Sequence, residues 1–346
     1  MEVVVGLSLT NLKPRVWEPD NEYYLDRVEA VMISYAEFDG NRKARREAMA
    51  LGLHEYLNVP EDIDIYLDNG SFNFAKNDRE VPREEYEAFV EEANPDWYPI
   101  PQDYIPSPEV DAEGQLEDLQ ETMQVNRNYS QNGYAGDEFA PVLHVSRVLD
   151  TYLEQFQESE AIQETSHIAI GGIVPNLLRA HKAMKYRRVL TDLKKIRKTF
   201  RDKDLHLFGV GGNSTLHIAR LLGIDSVDST GWRNRAARGI IQMPGSGDRS
   251  VRDLGSWKGR DPSDEEWQAL ARCECPACQE YALDGLKAKK TFGFCNRATH
   301  NLWVLLDEAR LIEKHLAEGT YDEWYESHVE NSTYKPLIDF LRSKEE

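Results

Sequence analysis

The stretch Gly223–Gly239, GIDSVDSTGWRNRAARG, decides how the rest of the chain is interpreted. It begins as a hydrophobic strand, reaches Asp228 at the end of that strand, and continues into an arginine-rich turn. The segment before it, Leu205–Gly212 (LHLFGVGG), is typical of a second strand that ends in glycines, and an amphipathic helix separates the two. Parallel α/β proteins carry functional side chains at the carboxyl ends of their strands. Asp228 is therefore a candidate catalytic carboxylate, with an acidic helix cap as the structural alternative.

Three arginines follow this carboxylate closely: Arg233, Arg235 and Arg238. Guanidinium groups bind phosphates through paired hydrogen bonds, so this turn predicts a phosphate-binding surface beside the candidate carboxylate. Ordinary surface arginines would produce the same pattern.

Strand-like segments recur along the chain, and most are followed by charged helical stretches. This alternation predicts a parallel α/β fold, and we expect a TIM (β/α)8 barrel with insertions; an open doubly wound sheet would explain the same alternation. We expect residues 1–265 to form the barrel body, and residues 266–346 to form a zinc-binding segment with C-terminal helices packed on the barrel. The strand-like segments are Val3–Leu9, Ala30–Tyr35, Ile63–Leu67, Val142–Val145, His167–Gly171, Leu205–Val210 and Ile224–Val227.

All four cysteines lie in one short region, which favours metal ligation over a disulfide framework. Cys273, Cys275 and Cys278 form a C-x-C-x-x-C motif, and His300 follows further along the chain. Three thiolates and one imidazole complete a tetrahedral Zn²⁺ shell with no open position, as in structural sites. We therefore predict a structural zinc with His300 as the fourth ligand; Cys295 is the alternative.

A second carboxylate, Asp68, ends the strand IDIYL in the sequence LDNGSFNF. Two aspartates at the ends of different barrel strands can converge on one cleft. Such a pair suggests double displacement at an anomeric carbon, in which one carboxylate attacks and the other manages protons. The same chemistry would serve a glycosidase, and an Asp-Asn-Gly turn would be the structural explanation for Asp68.

Taken together, these residues resemble the tRNA-guanine transglycosylase superfamily over most of the chain. The resemblance implies a zinc-stapled barrel that exchanges guanine in a nucleic acid for a 7-deazaguanine base, such as the 7-cyano or 7-aminomethyl form. The motifs that carry it are DNGSF at Asp68–Phe72, GGIVP at Gly171–Pro175, the glycine-rich strand end at Phe208–Gly211, VDSTGWRNRAARG ending at Gly239, the cysteine motif Cys273–Cys278, and the distal pair His300-Asn301.

The resemblance also implies roles for individual residues. Asp228 would attack the anomeric carbon, and Asp68 would be the acid/base residue. A third aspartate would hold the Watson–Crick edge of the base, and Asp103 in PIPQDYIP is the candidate. The base pocket would be completed around Gly171, Gly172 and Ile173, with His144 or Ser146 at the end of VLHVS. For His144 and Ser146, an ordinary strand-end role is the alternative.

Several features depart from the superfamily pattern. The segment DNGSFNF lacks the usual second glycine and glutamine, the glycine turn continues as IVP, and no tRNA-binding extension is recognisable at the C-terminus. These departures resemble the branch of the superfamily that modifies DNA with 7-deazaguanines in genomic islands and viruses. We therefore expect a DNA enzyme, with a tRNA enzyme or a non-catalytic nucleic-acid-binding subunit as alternatives. A homodimer and an accessory protein that opens duplex DNA are further candidate partners.

The formal net charge of -20 is unusual for a protein that handles nucleic acid. Spatial segregation would explain it, because residues 179–203 and 233–260 are rich in lysine and arginine. Adaptation to concentrated salt would also explain it, since salt screens the repulsion, and an acidic protein of a halophilic archaeon or its virus fits this composition. The N-terminus has no basic region before its short apolar run, and no apolar segment is long enough to span a bilayer, so we expect a cytoplasmic protein without membrane contact.

Overall fold

The computed structural model describes residues 1–99, 109–131, 139–177, 182–252, 254 and 259–343. Contacts divide the chain into two compact units. Unit 1 comprises Met1–Glu29, Gly211–Arg220 and Ser229–Glu346, and unit 2 comprises Ala30–Val210 and Leu221–Asp228. The two candidate catalytic aspartates belong to unit 2, and the cysteines belong to unit 1. The division into residues 1–265 and 266–346 stays a prediction.

The described strands belong to one large sheet of seven strands and to two small two-stranded sheets. They are β1 (Glu2–Gly6), β2 (Ala30–Ser34), β3 (Asp64–Asp68), β4 (Tyr98–Pro99), β5 (Phe139–Ala140), β6 (Val142–His144), β7 (His167–Gly171), β8 (Asp204–Leu207), β9 (Ser226–Ser229), β10 (Ile240–Met243) and β11 (Gly247–Ser250).

The described helices connect and cover these strands. They are α1 (Tyr35–Asp39), α2 (Arg42–Leu51), α3 (Leu53–Leu57), α4 (Ser71–Lys76), α5 (Arg83–Ala93), α6 (Ala112–Gln131), α7 (Leu149–Gln157), α8 (Glu160–Glu164), α9 (Val174–Leu177), α10 (Tyr186–Thr199), α11 (Asn213–Leu221), α12 (Gly231–Ala237), α13 (Asp264–Leu270), α14 (Pro276–Lys287), α15 (Lys290–Ala317), α16 (Tyr321–His328) and α17 (Lys335–Arg342).

In unit 2, β2 pairs with β3, and β6, β7, β8 and β9 form a ladder in that order; all four pairings are parallel. These strands are short and consist mainly of buried aliphatic residues, as expected where a parallel sheet is covered on both faces. The helices between them bury one face, and α10 does so with Val189, Leu190, Leu193 and Ile196. This alternation of strand and helix confirms the predicted α/β class with its parallel sheet.

In unit 1, the 28-residue helix α15 forms the centre of the packing. Its buried side chains include Leu302, Val304, Leu305 and Ile312, which explains the apolar periodicity near the C-terminus. The antiparallel hairpin of β10 and β11 belongs to the same unit. The C-terminal helices expected from the sequence are present as α15, α16 and α17.

The seven strand-like segments of the sequence all contain strands, although the observed bounds differ by a few residues. The hairpin β10–β11 was not predicted. Its turn depends on Gly245 and Gly247, whose φ angles of 63° and 84° lie in the left-handed region that glycine adopts without strain. Among the described residues, no helix is long and apolar enough to cross a membrane.

Candidate active site and metal cluster

The carboxylate of Asp228 lies at the carboxyl end of β9 and is oriented by the neighbouring strand. Its Oδ1 accepts a hydrogen bond of 2.6 Å from the backbone N–H of Gly209, which follows β8. Gly209 has a φ angle of 74°, and a Cβ atom there would meet Val174 Cγ2 at 2.5 Å. A glycine is therefore needed for this N–H to point at the carboxylate. The alternative that Asp228 only caps a helix has no support, since α12 begins at Gly231 without a side-chain cap.

Asp68 ends β3, and Asp228 is close enough to influence its charge. Desolvation by burial and repulsion from Asp228 together raise the pKa of Asp68, although Ser34 and the Gly70 amide act in the opposite direction. A raised pKa increases the fraction of Asp68 that carries a proton near neutral pH. Two neighbouring carboxylates in different environments are the usual arrangement for one proton donor and one nucleophile.

The turn after Asp68 is made by its neighbours. Asn69 Oδ1 accepts a hydrogen bond of 2.9 Å from the Ser71 N–H, and Gly70 adopts a φ angle of 79°. The side chain of Asn69 thus forms one hydrogen bond of this turn, and the Gly70 amide interacts with the Asp68 carboxylate itself. Four residues after Asp68, the ring of Phe72 is 55% exposed. An exposed apolar ring at this position offers a stacking surface for a planar base.

A cluster of rings adjoins Asp228 through His206 and was not predicted. Tyr66 and Trp97 stack with ring centroids 4.6 Å apart, and the ring of His206 lies 5.1 Å from Trp97 and 4.8 Å from Phe208. His206 Nε2 lies 3.7 Å from Asp228 Oδ1. One sequence signal could have revealed this histidine. Because side chains alternate along a strand, His206 shares a face with Phe208, and a parallel neighbour brings Ser226 and Asp228 to that face.

The predicted base-pocket residues at the ends of β6 and β7 are in contact with one another. Gly171 pairs with His144 in the sheet, and a Cβ atom on Gly171 would meet His144 Cδ2 at 2.8 Å. Gly172 has a φ angle of 75°, and a Cβ atom there would meet the Val145 carbonyl oxygen at 2.9 Å. The paired glycines thus allow the backbone to pass closely over the histidine. Ile173, the next residue, is buried.

His144 and Ser146 have environments that limit their roles. Burial lowers the pKa of His144 to about 3, so its imidazole is neutral at physiological pH. The Ser146 Oγ accepts a hydrogen bond of 3.3 Å from the Val148 N–H at the start of α7. Ser146 therefore stabilises a turn, whereas His144 offers a neutral ring. Asp103, the candidate for the Watson–Crick edge of the base, lies outside the described residues.

The arginines that follow Asp228 in sequence differ in exposure. Arg233 is buried, donates to the backbone carbonyl of Asn11, and lies over the ring of Trp232. Arg235 is half-buried and forms a two-bond ion pair with Asp248, at 2.8 and 3.0 Å. Arg238 is exposed at the end of α12. Of the three, only Arg238 is exposed.

In unit 1, the predicted zinc ligands converge. The Sγ atoms of Cys273, Cys275 and Cys278 lie 3.5, 3.8 and 3.6 Å from His300 Nδ1. Tetrahedral Zn²⁺ with Zn–S of about 2.3 Å and Zn–N of about 2.0 Å requires S···N separations of about 3.6 Å. His300 Nε2 lies 3.0 Å from the Gln242 carbonyl oxygen and donates to it, so Nδ1 presents its lone pair to the cysteines. These four residues could therefore hold a zinc ion.

The alternative ligand, Cys295, does not join this cluster. It precedes His300 by five residues on α15, and five residues rotate a side chain by about 140° around a helix axis, away from the His300 face. Its charged neighbours are Lys13, Glu22 and Arg233, and burial raises the pKa of its thiol to about 11. Cys295 is therefore a buried neutral thiol, and the choice of His300 is supported by geometry.

The parallel α/β fold, the aspartates at two strand ends and the closed Cys₃His cluster are the features on which the chain can be compared with known protein families. The family model described as queuine tRNA-ribosyltransferase matches residues 29–334. The chain belongs to this family, and the predicted tRNA-guanine transglycosylase resemblance is confirmed.

Curated relatives are similar over most of this chain. A tRNA-guanine(15) transglycosylase of Pyrococcus abyssi is 25% identical over all of the chain and 56% of its own length. Proteins of the same name from Haloferax volcanii and Methanosarcina mazei are 26% and 27% identical, cover 88% and 86% of the chain, and are matched over 54% and 56% of their own lengths. The chain thus spans about half the length of the curated relatives it matches.

Proposed function

We propose that this protein exchanges a guanine of a nucleic acid for a 7-deazaguanine base through a covalent ester of Asp228. The observation that carries the proposal is the geometry at the strand ends of unit 2. There the Gly209 N–H donates a hydrogen bond to one oxygen of Asp228. Asp228 is also near enough to Asp68 for repulsion between the two carboxylates to raise the pKa of Asp68. Membership of the family supports the reaction type.

In the first half of the reaction, Asp228 Oδ2 attacks the anomeric carbon C1′ of the target nucleotide. The C1′–N9 bond breaks, its electron pair passes to the departing guanine, and Asp68 supplies the proton that this guanine takes up. The product is an ester between Asp228 and C1′. A carboxylate nucleophile suits this step because the glycosidic carbon develops positive charge as the base leaves.

In the second half, the incoming base attacks C1′ through its ring nitrogen. The C1′–Oδ2 bond breaks, its electron pair returns to the Asp228 carboxylate, and Asp68 takes the proton that the ring nitrogen loses. Two inversions at C1′ give retention of configuration. Proton donation and removal by one residue require Asp68 to change its protonation state during each cycle, which a raised pKa favours.

Base recognition is assigned to residues that follow β3, β6 and β7 and to Asp103, which lies outside the described residues. We infer that the ring of Phe72 stacks on the base, and that the backbone at Gly171, Gly172 and Ile173 contacts its edge. The neutral His144 and the end of β6 at Ser146 complete the pocket. Asp103 would accept hydrogen bonds from the ring N–H and the exocyclic amine, a pair of contacts that discriminates strongly against bases without these donors.

Two polymers are candidate substrates. DNA is favoured by the departures from the superfamily motifs at Asp68–Phe72 and Gly171–Pro175. Transfer RNA is favoured by the relatives, which are named tRNA-guanine(15) transglycosylases. In either polymer the target base must be unpaired or extruded before Asp228 can reach C1′. The acidic composition would suit an enzyme of a halophilic host or its virus. A cytoplasmic location, and action as a homodimer or with a protein that opens the duplex, are further parts of the proposal.

The decisive experiment measures incorporation of labelled 7-cyano- and 7-aminomethyl-7-deazaguanine into DNA and tRNA, side by side, in low and high salt. We expect incorporation by the wild-type protein and none by Asp228→Asn, which keeps the shape of the side chain and lacks the nucleophile. The matched control is Asp202→Asn, since Asp202 is an exposed aspartate just before β8. Full activity of Asp228→Asn would contradict the mechanism. Label in DNA alone or in tRNA alone identifies the polymer, and label in neither contradicts the proposed exchange.

For the polymer path, we propose the exposed residues Lys182 and Lys185 in unit 2. Their segment is tied to the carboxyl ends of the strands, because Asn176 bonds both the Gly172 carbonyl oxygen and the Met184 N–H, at 2.9 and 2.8 Å. In addition, the Arg147 side chain donates to the Lys182 carbonyl oxygen at 3.0 Å. Phosphates beside the reacting nucleotide would therefore lie near these lysines. Arg238 remains a candidate contact in unit 1.

The opposite end of α10 provides a matched control. Lys198 and Arg201 line a shallow groove with Arg197, whose guanidinium bonds Asp225 and the Gly223 carbonyl oxygen at the amino-terminal end of β9. We expect Lys182→Glu combined with Lys185→Glu to weaken polymer binding. The negative slope of log K against log salt should also become smaller in magnitude, by about 2. Lys198→Glu combined with Arg201→Glu should change neither the affinity nor the slope. Equal effects of the two double variants, measured by fluorescence anisotropy, would refute this path.

A further inference from the structure

His206 is the imidazole of the ring cluster formed by Tyr66, Trp97, His206 and Phe208, and the proposed reaction does not use it. It lies on β8, and 3% of its side chain is exposed. Its Nδ1 lies 2.9 Å from the Oγ of Ser226, the residue opposite it on β9. The rings of Tyr66, Trp97 and Phe208 surround it. The imidazole is therefore held in one orientation by a hydrogen bond and by aromatic packing.

The second ring nitrogen of His206 faces the nucleophile. Its Nε2 is buried and has no hydrogen bond within the described residues, and it lies 3.7 Å from Asp228 Oδ1. Buried polar nitrogens normally form a hydrogen bond, for which the donor–acceptor distance is about 2.7 to 3.2 Å. The separation of 3.7 Å is less than 1 Å longer than this range. A small movement of either side chain would close the contact.

The environment determines which nitrogen of His206 carries the proton. A lone pair on Nε2 would face the negative Asp228 carboxylate and would be repelled by it. A proton on Nε2 is attracted instead, and Ser226 can then donate its hydroxyl proton to the bare Nδ1. In the imidazolium form Nε2 also carries a proton. His206 thus presents an N–H to Asp228 Oδ1 in each favourable state.

Two donors therefore converge on the same oxygen of Asp228: the Gly209 N–H at 2.6 Å and His206 Nε2 at 3.7 Å. The other oxygen, Oδ2, remains for attack on C1′. Oδ1 bears negative charge in the free carboxylate and loses most of it in the ester. Donors aimed at Oδ1 consequently stabilise the carboxylate as it leaves C1′, which happens in the second half of the exchange.

We propose that His206 is a positioning residue that, with the Gly209 N–H, binds the non-attacking oxygen of Asp228 and accelerates release of the carboxylate from the covalent intermediate. The inference rests on the proposed base exchange and names the two hydrogen-bond donors that assist its second half. In that step the C1′–Oδ2 bond breaks, its electron pair returns to the carboxylate, and the incoming base forms the new bond to C1′. His206 donates a hydrogen bond and transfers no proton.

The test compares His206→Phe with His206→Gln in the full chain. Phenylalanine keeps an aromatic ring among Tyr66, Trp97 and Phe208 but has no donor, whereas glutamine can place an amide N–H near the position of Nε2. Each variant is mixed with a guanine-containing DNA hairpin and, separately, with a tRNA transcript. The covalent protein–nucleic acid adduct is quantified on denaturing gels, and its breakdown is timed after addition of radiolabelled guanine as the incoming base.

We expect His206→Phe to slow adduct breakdown by about 100-fold, at the lower end of the range for loss of one preorganised donor, while adduct formation changes by less than about threefold. The adduct should accumulate, and His206→Gln should recover most of the breakdown rate. Equal slowing of formation and breakdown, or a lack of recovery by the folded glutamine variant, would overturn the inference.

Two further proteins keep the test decisive. Ser226→Ala leaves His206 in place but removes the hydrogen bond to Nδ1, so it should also slow breakdown, by a smaller factor. If His206→Phe does not fold, unchanged breakdown in Ser226→Ala would count against the role of His206.

The wild-type protein separates failure of the proposed function from failure of the role proposed for His206. Without any wild-type adduct or guanine exchange on either polymer, the proposed function fails, whereas a wild-type adduct with normal breakdown in His206→Phe defeats the His206 role alone.

Discussion

Among its described residues, unit 1 contains two clusters of metal-binding residue types, and their geometries differ. In the Cys₃His cluster, the three Sγ atoms lie 3.5 to 3.8 Å from His300 Nδ1, which leaves room for an ion between them. In the second cluster, the Nε2 atoms of His217 and His328 each lie 2.8 Å from Glu308 Oε1. Two ligands of one tetrahedral zinc ion at N and O bond lengths would be about 3.3 Å apart. The second cluster is therefore a hydrogen-bonded network around a buried carboxylate.

The second cluster satisfies its own polar groups. The Tyr321 hydroxyl lies 2.7 Å from His217 Nδ1, and Glu308 Oε2 accepts from the Gly245 N–H at 3.4 Å. Hydrogen bonds from both histidines, which outweigh the cost of burial, lower the pKa of Glu308 to about 2. The comparison teaches that residue type alone does not identify a metal site. The separation of the donor atoms distinguishes a coordination shell from an ionic network.

The largest expected effect is that of metal removal. A chelator, or Cys278→Ser, should unfold unit 1, because structural zinc contributes about 10 to 16 kcal/mol of apparent binding free energy in small zinc domains. Metal analysis should find one zinc per wild-type chain, and circular dichroism should show loss of helix on chelation. Cys295→Ser is the control and should keep its zinc. Two zinc ions per chain would contradict the interpretation of the second cluster.

Next in size is Glu308→Ala. It leaves the buried His217 and the half-buried His328 without their acceptor, and removal of one partner from a buried ionic network costs about 3 to 5 kcal/mol. Urea unfolding should show this loss, while the zinc content stays at one per chain. Retained stability together with loss of a metal ion would indicate that the cluster binds metal after all.

The pH dependence should be slightly smaller. The pKa of Glu308 is lower in the folded protein than its ordinary value of 4.5, so its contribution is complete above about pH 4.5 and is lost as the pH falls toward 2. The difference corresponds to about 3 kcal/mol. Glu308→Gln should lack this part of the acid destabilisation, and parallel unfolding curves of the two proteins between pH 5 and about pH 2.5 would show the interpretation to be wrong. Glu266, whose pKa is also lowered to about 2, titrates equally in both proteins and cancels in the comparison.

The smallest expected effect is that of Tyr321→Phe. It removes the hydroxyl that bonds His217 Nδ1 and keeps the ring, so it should cost about 1 kcal/mol of unfolding free energy. The measurement is again a urea titration at neutral pH. A cost as large as that of Glu308→Ala would mean that the tyrosine, rather than the carboxylate, is the centre of the network.

Much of the fold and part of the site could be predicted from sequence. The seven strand-like segments contain strands, and C-x-C-x-x-C with His300 gives the cluster that could hold zinc. These signals are local: a strand shows as a short apolar run, and a metal motif shows as a short spacing. The β10–β11 hairpin was missed because its strands contain the polar residues Gln242, Asp248 and Arg249, which have partners only in the folded protein.

The sequence by itself determined the α/β class, the strand ends that carry Asp68 and Asp228, and the three cysteines of the Cys₃His cluster, because each depends on neighbours a few residues away. Only the tertiary structure decided that His206 faces Asp228, that His217 and Glu308 meet across 91 residues, and that Arg233 is buried while Arg238 is exposed. The physical reason is that such contacts depend on strand order and helix packing. Strand order and helix packing depend on the free energy of the whole folded chain, which short sequence patterns do not reveal.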